Sequence, residues 1–208
     1  MGYLGYKPAD KPLTSADITD SIITSAKIVD GTIVNADINA SAAIASTKLS
    51  GVQGKFESQL LHVRDEKASG SDGGTNTAST FDTRTLNTVL TNEISGASLS
   101  SNQITLPSGT YFIHASAPAF MISQSRLRLR NITDSSTTLL GENNTADSSV
   151  ASSCISFVIG RFTIASSKTF ELQHIGRVQR GSGQGFGLGV ASFGITEVFA
   201  QVLIWKVA

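Results

Sequence analysis

An apolar residue recurs at every fifth position of one segment, and this period constrains the fold more than any other feature of the chain. The positions are Leu13, Ile18, Ile23, Ile28, Ile33 and Ile38. Five residues turn an α-helix by about 500°, so successive isoleucines would not share one helical face. A strand alternates its faces with a period of two, so a step of five would reverse the face each time. The period therefore favours a chain that turns a corner every five residues and places one isoleucine inside at each repeat.

A smaller residue keeps the same period two positions before each isoleucine. These residues are Ala16, Ser21, Ala26, Gly31 and Ala36. Repeats with one small and one branched inward residue resemble the pentapeptide-repeat solenoid and the short repeats of phage fibre shafts. We interpret residues 14–50 as a stem with a core of Ile18, Ile23, Ile28, Ile33 and Ile38. A disordered low-complexity linker is the alternative, although a linker has no need of such regular apolar spacing.

One copy of this stem has too little apolar surface to fold alone. Ordering its backbone costs about 1–2 kcal/mol per residue, whereas each fully buried isoleucine contributes about 1.5–3 kcal/mol. Several parallel copies would share one continuous core. The stem therefore predicts a homo-oligomer, and we expect a homotrimer because three-fold symmetry is common in fibres.

Composition excludes several classes of partner. The chain of 208 residues has no net charge, and only 15% of its residues are charged. It has no basic excess for nucleic acid and no polybasic run for anionic lipid. Its apolar runs are far shorter than a membrane span needs, and residues 1–8 lack the apolar core of a signal peptide. We expect neither a nucleic-acid partner nor membrane insertion.

From about residue 59 the pattern changes to alternating strands separated by turn residues. The predicted strands are 60–64, 84–91, 103–106, 110–117, 125–131, 137–140, 152–164, 169–175 and 197–207. Residues 134–136 and 165–168 have the composition of hairpin turns. The nearly continuous apolar run at 198–207 predicts a strand that is buried on both faces, as at a trimer axis.

These elements predict an all-β protein, in which a short pentad-repeat stem is followed by a C-terminal jelly-roll β-sandwich head. We divide the chain into an N-terminal docking peptide at 1–13, the stem at 14–50, a hinge at 51–58 and the head at 59–208. The docking peptide has tyrosines and prolines but no amphipathic period. We expect it to become ordered only against a partner protein, through Tyr3, Leu4 and Tyr6.

The head resembles known families at two levels. Residues 104–113 contain Pro107, Gly109 and Tyr111 in a Pro-x-Gly-x-Tyr arrangement that resembles the trimeric jelly-roll heads of the tumour-necrosis-factor and complement class. The longer stretch 60–207 is similar to a head domain on structural proteins of marine tailed phages. The blocks that carry this second resemblance are 61–70, 85–98, 162–164, 169–174 and 204–207. It implies a virion appendage on the tail or the head, and it carries over no catalytic residue.

The sequence contains no strong catalytic, cofactor or metal motif. Its three histidines, His62, His114 and His174, lie far apart in predicted strands and lack metal-ligand spacing, so we expect them to be satisfied or solvent-facing. Residues 71–76 lack the alternating carboxylates of a calcium loop and read as a flexible loop. The glycine-rich stretch 181–189 follows no strand-to-helix unit, which disfavours phosphate binding. We expect no enzyme activity, no cofactor and no metal.

Two arginine-containing segments are candidates for contact with another molecule. Arg126, Arg128 and Arg130 alternate with leucines and should form a row on one face of a strand. They are either a solvated or interface face paired with acidic residues, or a contact for acidic surface glycans. Residues 177–194 form a predicted mobile tip loop, in which Arg177, Arg180 and Phe186 are the candidate receptor contacts. An unengaged loop is the alternative.

The leading hypothesis is a virion structural protein, a trimeric fibre or decoration appendage that projects its head from the phage particle for attachment to the host surface. A second hypothesis is a glycan-binding receptor module. A small polysaccharide-degrading enzyme is a third, and it is disfavoured because no Ser-His-Asp set or carboxylate pair stands out. The expected partners are further copies of the chain, a virion protein at the N-terminal peptide and a host-surface glycan.

Overall fold

A computed structural model describes residues 14, 18–19, 21–39, 41–42, 59–190 and 193–207. The chain divides into two units, Met1–Gln53 and Gly54–Ala208. The predicted docking residues Tyr3, Leu4 and Tyr6 and the predicted hinge at 51–58 lie outside the described residues. No helix in the described ranges is long and apolar enough to span a membrane.

The stem turns once in every five residues. Backbone N–H groups donate to the carbonyl three residues earlier at 2.9–3.3 Å, in the pairs Ile22–Thr19, Lys27–Thr24, Thr32–Val29, Asp37–Val34 and Ala42–Asn39. Two of these turns are 3₁₀ helices, Ser25–Lys27 and Asn35–Asp37. At the third position of two others, Ser21 and Gly31 have φ of 67° and 79°, a left-handed conformation that glycine adopts without strain. The five-residue sequence period therefore coincides with a period of hydrogen-bonded turns.

The isoleucines lie between successive turns, and one chain does not bury them. Ile28, for example, has extended backbone angles of −111° and 116° directly after the first 3₁₀ helix. Ile18, Ile23, Ile28, Ile33 and Ile38 are each 40–54% exposed. A core at these positions is therefore absent from the single chain, and it remains a prediction for an assembly of several copies.

The second unit contains twelve strands among its described residues. They are β1 Leu60–Lys67, β2 Phe81–Thr83, β3 Thr88–Asn92, β4 Ser98–Ser100, β5 Gln103–Leu106, β6 Gly109–Phe120, β7 Ser123–Asn131, β8 Ser136–Leu140, β9 Asn144–Ala146, β10 Ser153–Ile164, β11 Lys168–Gly176 and β12 Glu197–Lys206. Most of them alternate buried with accessible side chains, as strands with one face on a core do. In β7, Leu127 and Leu129 point inward while the arginines point outward, as predicted.

The strands form two antiparallel sheets. The first sheet has the order β10-β6-β12-β1-β3, and the second has the order β4-β5-β11-β7-β8, with β2 paired to β11 and β9 paired to β7. Consecutive strands often lie in different sheets, since β5, β7 and β11 of the second sheet are each followed or preceded by a strand of the first. This is the jelly-roll arrangement of an all-β sandwich, as predicted.

The core fills the space between the sheets with aliphatic and aromatic side chains. Tyr111 of β6 is fully buried, and its ring stacks on Phe162 of β10 with centroids 5.5 Å apart. Phe162 in turn contacts Phe170 of β11, at 5.4 Å between ring centroids. The Tyr111 hydroxyl donates to the carbonyl of Pro107 at 2.7 Å, which satisfies the buried phenol and fixes the turn between β5 and β6.

Three sequence-based expectations about the strands need correction. The predicted strand at 84–91 begins only at Thr88, because the preceding residues cross between sheets: the Arg84 N–H bonds to β11 and the Asn87 N–H to β1. Residues 165–168 are not a hairpin, because they connect β10 of the first sheet to β11 of the second. The last strand, β12, is buried on one face only, and its Leu203 and Trp205 are half-buried on the other.

The stem predicts a position-specific effect of a buried charge. Replacing Ile28 with aspartate should destabilise an assembled stem by several kcal/mol, because an unpaired carboxylate would enter its core. Val29 is 77% exposed, so Val29→Asp serves as the matched control. Hydrogen exchange of residues 21–39 should be faster in Ile28→Asp than in Val29→Asp. Equal exchange in the two variants would identify the stem as a linker without a core.

Candidate functional site

Four segments meet at one end of the second sheet and form a groove. The backbone there is closely tied, since the Arg177 N–H donates to the Gln124 carbonyl at 2.9 Å and the Ser79 N–H to the Gly176 carbonyl at 2.7 Å. β11 also pairs Ile175 with Phe81 of β2 on one side and with Arg126 of β7 on the other. The groove has a volume of about 320 Å³, and its lining includes Phe81, Gln124, Arg126, Asn143, Ile175 and Arg177.

Each of the two arginines in this groove is held by a neutral carboxamide. Arg177 Nη1 donates to Gln124 Oε1 at 3.2 Å, and Arg126 Nη2 donates to Asn143 Oδ1. Among the described residues, neither guanidinium forms an ion pair. The groove thus unites one residue of the predicted arginine row with one residue of the predicted contact loop. The two carboxamides could not be assigned to it from sequence, because they belong to separate segments.

The other two arginines of the row have different surroundings. Arg128 lies with its guanidinium carbon 3.8 Å from the Phe81 ring centroid, and its Nε donates to Gln173 Oε1 at 2.9 Å. Burial lowers the pKa of Arg128, and the charge of Arg130 lowers it further. Glu171 lies opposite Arg130 in the sheet. Burial raises the pKa of Glu171. Hydrogen bonds from Thr83, Gln103 and Gln173 and the charge of Arg130 outweigh this effect, so the pKa of Glu171 is lowered overall.

The predicted tip loop is anchored to residues 72–76. The side chain of buried Asn76 donates to the Val178 carbonyl at 2.8 Å and accepts from the Arg180 N–H at 2.9 Å. The Gly74 N–H donates to the Gly183 carbonyl at 2.7 Å, and Asp72 accepts from Gly189 at 2.9 Å. A Cβ on Gly185 would lie 2.1 Å from Asn76 Oδ1, so close approach requires glycine there. The described part of the loop is therefore held in place rather than free, contrary to the prediction of mobility.

Phe186 is the centre of a buried cluster and not a surface contact. Only 5% of the residue is exposed. Its ring stacks on His174 of β11 with centroids 5.6 Å apart and an interplanar angle of 11°, and the Arg84 guanidinium lies 4.3 Å from the ring centroid. The prediction that Phe186 contacts a receptor is therefore wrong for this chain, because its ring anchors the loop to the sandwich.

Burial strongly perturbs two basic groups in this cluster. Burial, with a smaller contribution from the nearby charge of Arg84, lowers the pKa of His174 to about 3, so the imidazole is neutral at physiological pH. Neither ring nitrogen of His174 has a hydrogen-bond partner among the described residues, contrary to the expectation of a satisfied or solvent-facing histidine. Burial also lowers the pKa of Arg84 to about 9, against the opposing effect of the Asp65 carboxylate, so the guanidinium stays charged.

The remaining predicted contact residues differ in accessibility. Arg177 is exposed in the groove, whereas Arg180 is half-buried with its guanidinium 5.9 Å from the Phe120 ring centroid. In the described part of the chain, no group of three or more His, Cys, Asp or Glu side chains is placed to hold a metal ion.

The outward face of the first sheet carries large apolar side chains on three adjacent strands, β10, β6 and β12. Ile155 and Ile159 of β10 are 52% and 55% exposed, and Phe112 of β6 is 36% exposed. Phe112 lies beside Trp205 of β12, with ring centroids 6.1 Å apart. Ile159, His114, Leu203 and His62 lie in one row across β10, β6, β12 and β1. We call this surface the apolar face.

Comparisons with known proteins give structural similarity only. No protein-family model matches the sequence, and no curated protein sequence is significantly similar to it. The globular domain of zebrafish complement 1qA protein has a similar structure, with 12% identity, a TM-score of 0.46 and coverage of 72% of this chain and 98% of that one. Murine APRIL at pH 5.0 is similar over 70% of this chain and 97% of its own, with 7% identity and a TM-score of 0.45.

The buried cluster predicts that Phe186 is needed for stability. Phe186→Ala should lower the free energy of unfolding by about 3–5 kcal/mol, as truncation of a buried aromatic residue does. Phe193 is 68% exposed, so Phe193→Ala is a matched control that should change stability by less than about 0.5 kcal/mol. Denaturant unfolding of both variants would measure the difference. A wild-type midpoint for Phe186→Ala would show that the cluster does not hold the loop.

Proposed function

We propose that this chain is a phage virion structural protein, a homotrimeric fibre or decoration appendage whose jelly-roll head serves attachment to the host surface. The apolar face of the first sheet is the observation that carries the self-association in this proposal. Isolated apolar residues are common on protein surfaces, but a group of large exposed apolar side chains on one sheet face is typical of an interaction site. Further copies of the same chain are the occupants that we propose for it.

The stem supports the same assembly independently of the head. Its isoleucines are spaced at the period of its turns, yet 40–54% of each is exposed in one chain. Parallel copies would cover these side chains and form the core that one chain lacks. Parallel association requires cyclic symmetry, and the resemblance of the head to trimeric jelly-roll heads favours three copies.

The virion role is supported by the resemblance of residues 60–207 to a head domain on structural proteins of marine tailed phages. The pentad repeat that precedes these residues supports it as well. In this proposal, residues 1–13 dock on another virion protein through Tyr3, Leu4 and Tyr6. Short segments of this composition bind by becoming ordered on a partner, and aromatic residues contribute most of the contact energy in small interfaces.

A glycan-binding receptor module is a second candidate function, and the groove at Arg126 and Arg177 favours it. The groove belongs to the second sheet, whereas the apolar face belongs to the first. The two faces of a sandwich point away from each other, so trimer formation on one would leave the other accessible. The two functions are therefore compatible in one protein.

The assembly proposal predicts that a charge on the apolar face dissociates the head. Ile159→Glu should convert the trimer into folded monomers, because each interface would bury an unpaired carboxylate. Val178→Glu is the control, since Val178 is also exposed, at 38%, but follows β11 of the second sheet. Sedimentation velocity should give a trimer for the wild type and for Val178→Glu. A wild-type protein that sediments as a stable monomer would refute the assembly.

The virion role predicts a separation of assembly from incorporation. Deleting residues 2–12 should leave a soluble trimer that no longer joins phage particles, because the docking contacts are lost while the stem and head are retained. Sedimentation would establish the trimer, and immunoblots of purified particles would measure incorporation. Particles that contain normal amounts of the truncated protein would contradict the assignment of a docking peptide.

A further inference from the structure

We propose that the groove at the end of the second sheet binds an acidic sugar residue, whose carboxylate is held by Arg126 and Arg177. This inference deepens the proposed attachment function by naming a ligand class and a site for it. It goes beyond the predicted contact loop, because Arg126 comes from β7 and Phe186 is buried away from the surface.

The charge of the groove points to an anion. No acidic residue is among its lining residues, and two guanidinium groups are. The ion pairs of the described residues are Arg64–Glu66, Lys67–Asp65 and Lys168–Asp134, so neither Arg126 nor Arg177 is neutralised in this way. Arginine is suited to this task because its planar fork of N–H donors matches the two oxygens of a carboxylate.

The hydrogen-bonding groups of the groove are mostly donors. The carboxamide oxygens of Gln124 and Asn143 already accept from Arg177 and Arg126. Their NH₂ groups have no acceptor among the described residues, and each guanidinium has further N–H groups to donate. A ligand with many acceptor oxygens, such as a carboxylate with neighbouring sugar hydroxyls, complements this set.

The arginines are also positioned before any ligand arrives. Each guanidinium donates to one carboxamide, and the backbone bond from the Arg177 N–H to the Gln124 carbonyl at 2.9 Å fixes the segment that carries Arg177 beside β7. Preorganisation of this kind reduces the entropy that binding would otherwise cost.

Phe81 and Ile175 add apolar surface to the same groove. Both are half-buried and face each other across β2 and β11. Binding sites for small ligands combine apolar walls with a few placed polar groups, and the groove volume of about 320 Å³ lies within the range of such sites. A sugar ring presents C–H groups beside its hydroxyls, so it fits this combination better than a bare phosphate or sulfate ion does.

Saturation-transfer NMR with the full chain and trigalacturonate as the probe tests the inference. Wild-type protein should bind trigalacturonate, and Arg126→Ala and Arg177→Ala should each weaken binding roughly tenfold, as expected for the loss of a charge-assisted hydrogen-bonded contact. Arg130→Ala is the matched control, because Arg130 lies on the same row of β7 but outside the groove lining, and its affinity should equal that of the wild type.

Two further compounds test the chemical class of the ligand. The neutral methyl ester of trigalacturonate should bind much more weakly than the acid, because it has lost the carboxylate charge. Equal binding of acid and ester would overturn the role of the arginines. Inorganic phosphate at the same concentration should displace little of the sugar, and complete displacement would overturn the sugar assignment in favour of a simple anion site.

The failure of this inference is distinguishable from the failure of the proposed function. Arg126 and Arg177 are accessible, so their alanine variants should keep the melting temperature and sedimentation coefficient of the wild type. Absence of binding by a protein that remains trimeric and joins particles would overturn the ligand class alone. Binding that is unaffected by both arginine variants would place the sugar elsewhere on the chain.

Discussion

A fully buried guanidinium determines how the head closes at one end. Arg84 donates from Nη1 to the Pro118 carbonyl at 3.2 Å and from Nη2 to the Phe186 carbonyl at 3.0 Å. Nη2 also lies 3.5 Å from the carbonyl of Phe199. One side chain thus joins β6, the anchored loop and β12, while its own backbone N–H bonds to β11. A hydrogen bond to a charged group contributes about 1.5–3 kcal/mol, so these elements must keep their positions for the buried charge to stay satisfied.

The main features of the fold could be predicted because the alternation of apolar and polar residues along a strand indicates which of its faces is buried. The leucines of β7, the Pro-Ser-Gly turn before Tyr111 and the nine longer strands all follow from this signal. The strand β10 shows its limit. Val158 and Phe162 are buried while Ile155 and Ile159 are exposed, yet all four are apolar. Sequence alone could not tell which side would face the core, and so it did not reveal the full apolar face.

Long-range pairing was beyond the reach of the sequence pattern. The polar turn at 165–168 suggested a hairpin, but its strands bond to different sheets, and composition does not encode the choice of partner. The groove could not be predicted for the same reason. Arg126 and Arg177 were candidate contact residues in the sequence, whereas strand pairing brings Gln124 and Asn143 beside them. The prediction for Phe186 failed for a related reason. The glycine-rich sequence around it suggested an open loop, but these glycines allow close packing against Asn76 and Phe199.

The stem has a consequence for how such a protein can vary. Each repeat closes its own hydrogen bond within four residues, from Thr19–Ile22 to Asn39–Ala42, so no repeat depends on a partner far along the chain. Gain or loss of one whole repeat, fifteen nucleotides in the coding sequence, would preserve the phase of every other turn. Gain or loss of a single codon would shift all later isoleucines out of phase. Stem length can therefore evolve in steps of five residues without any compensating change in the head.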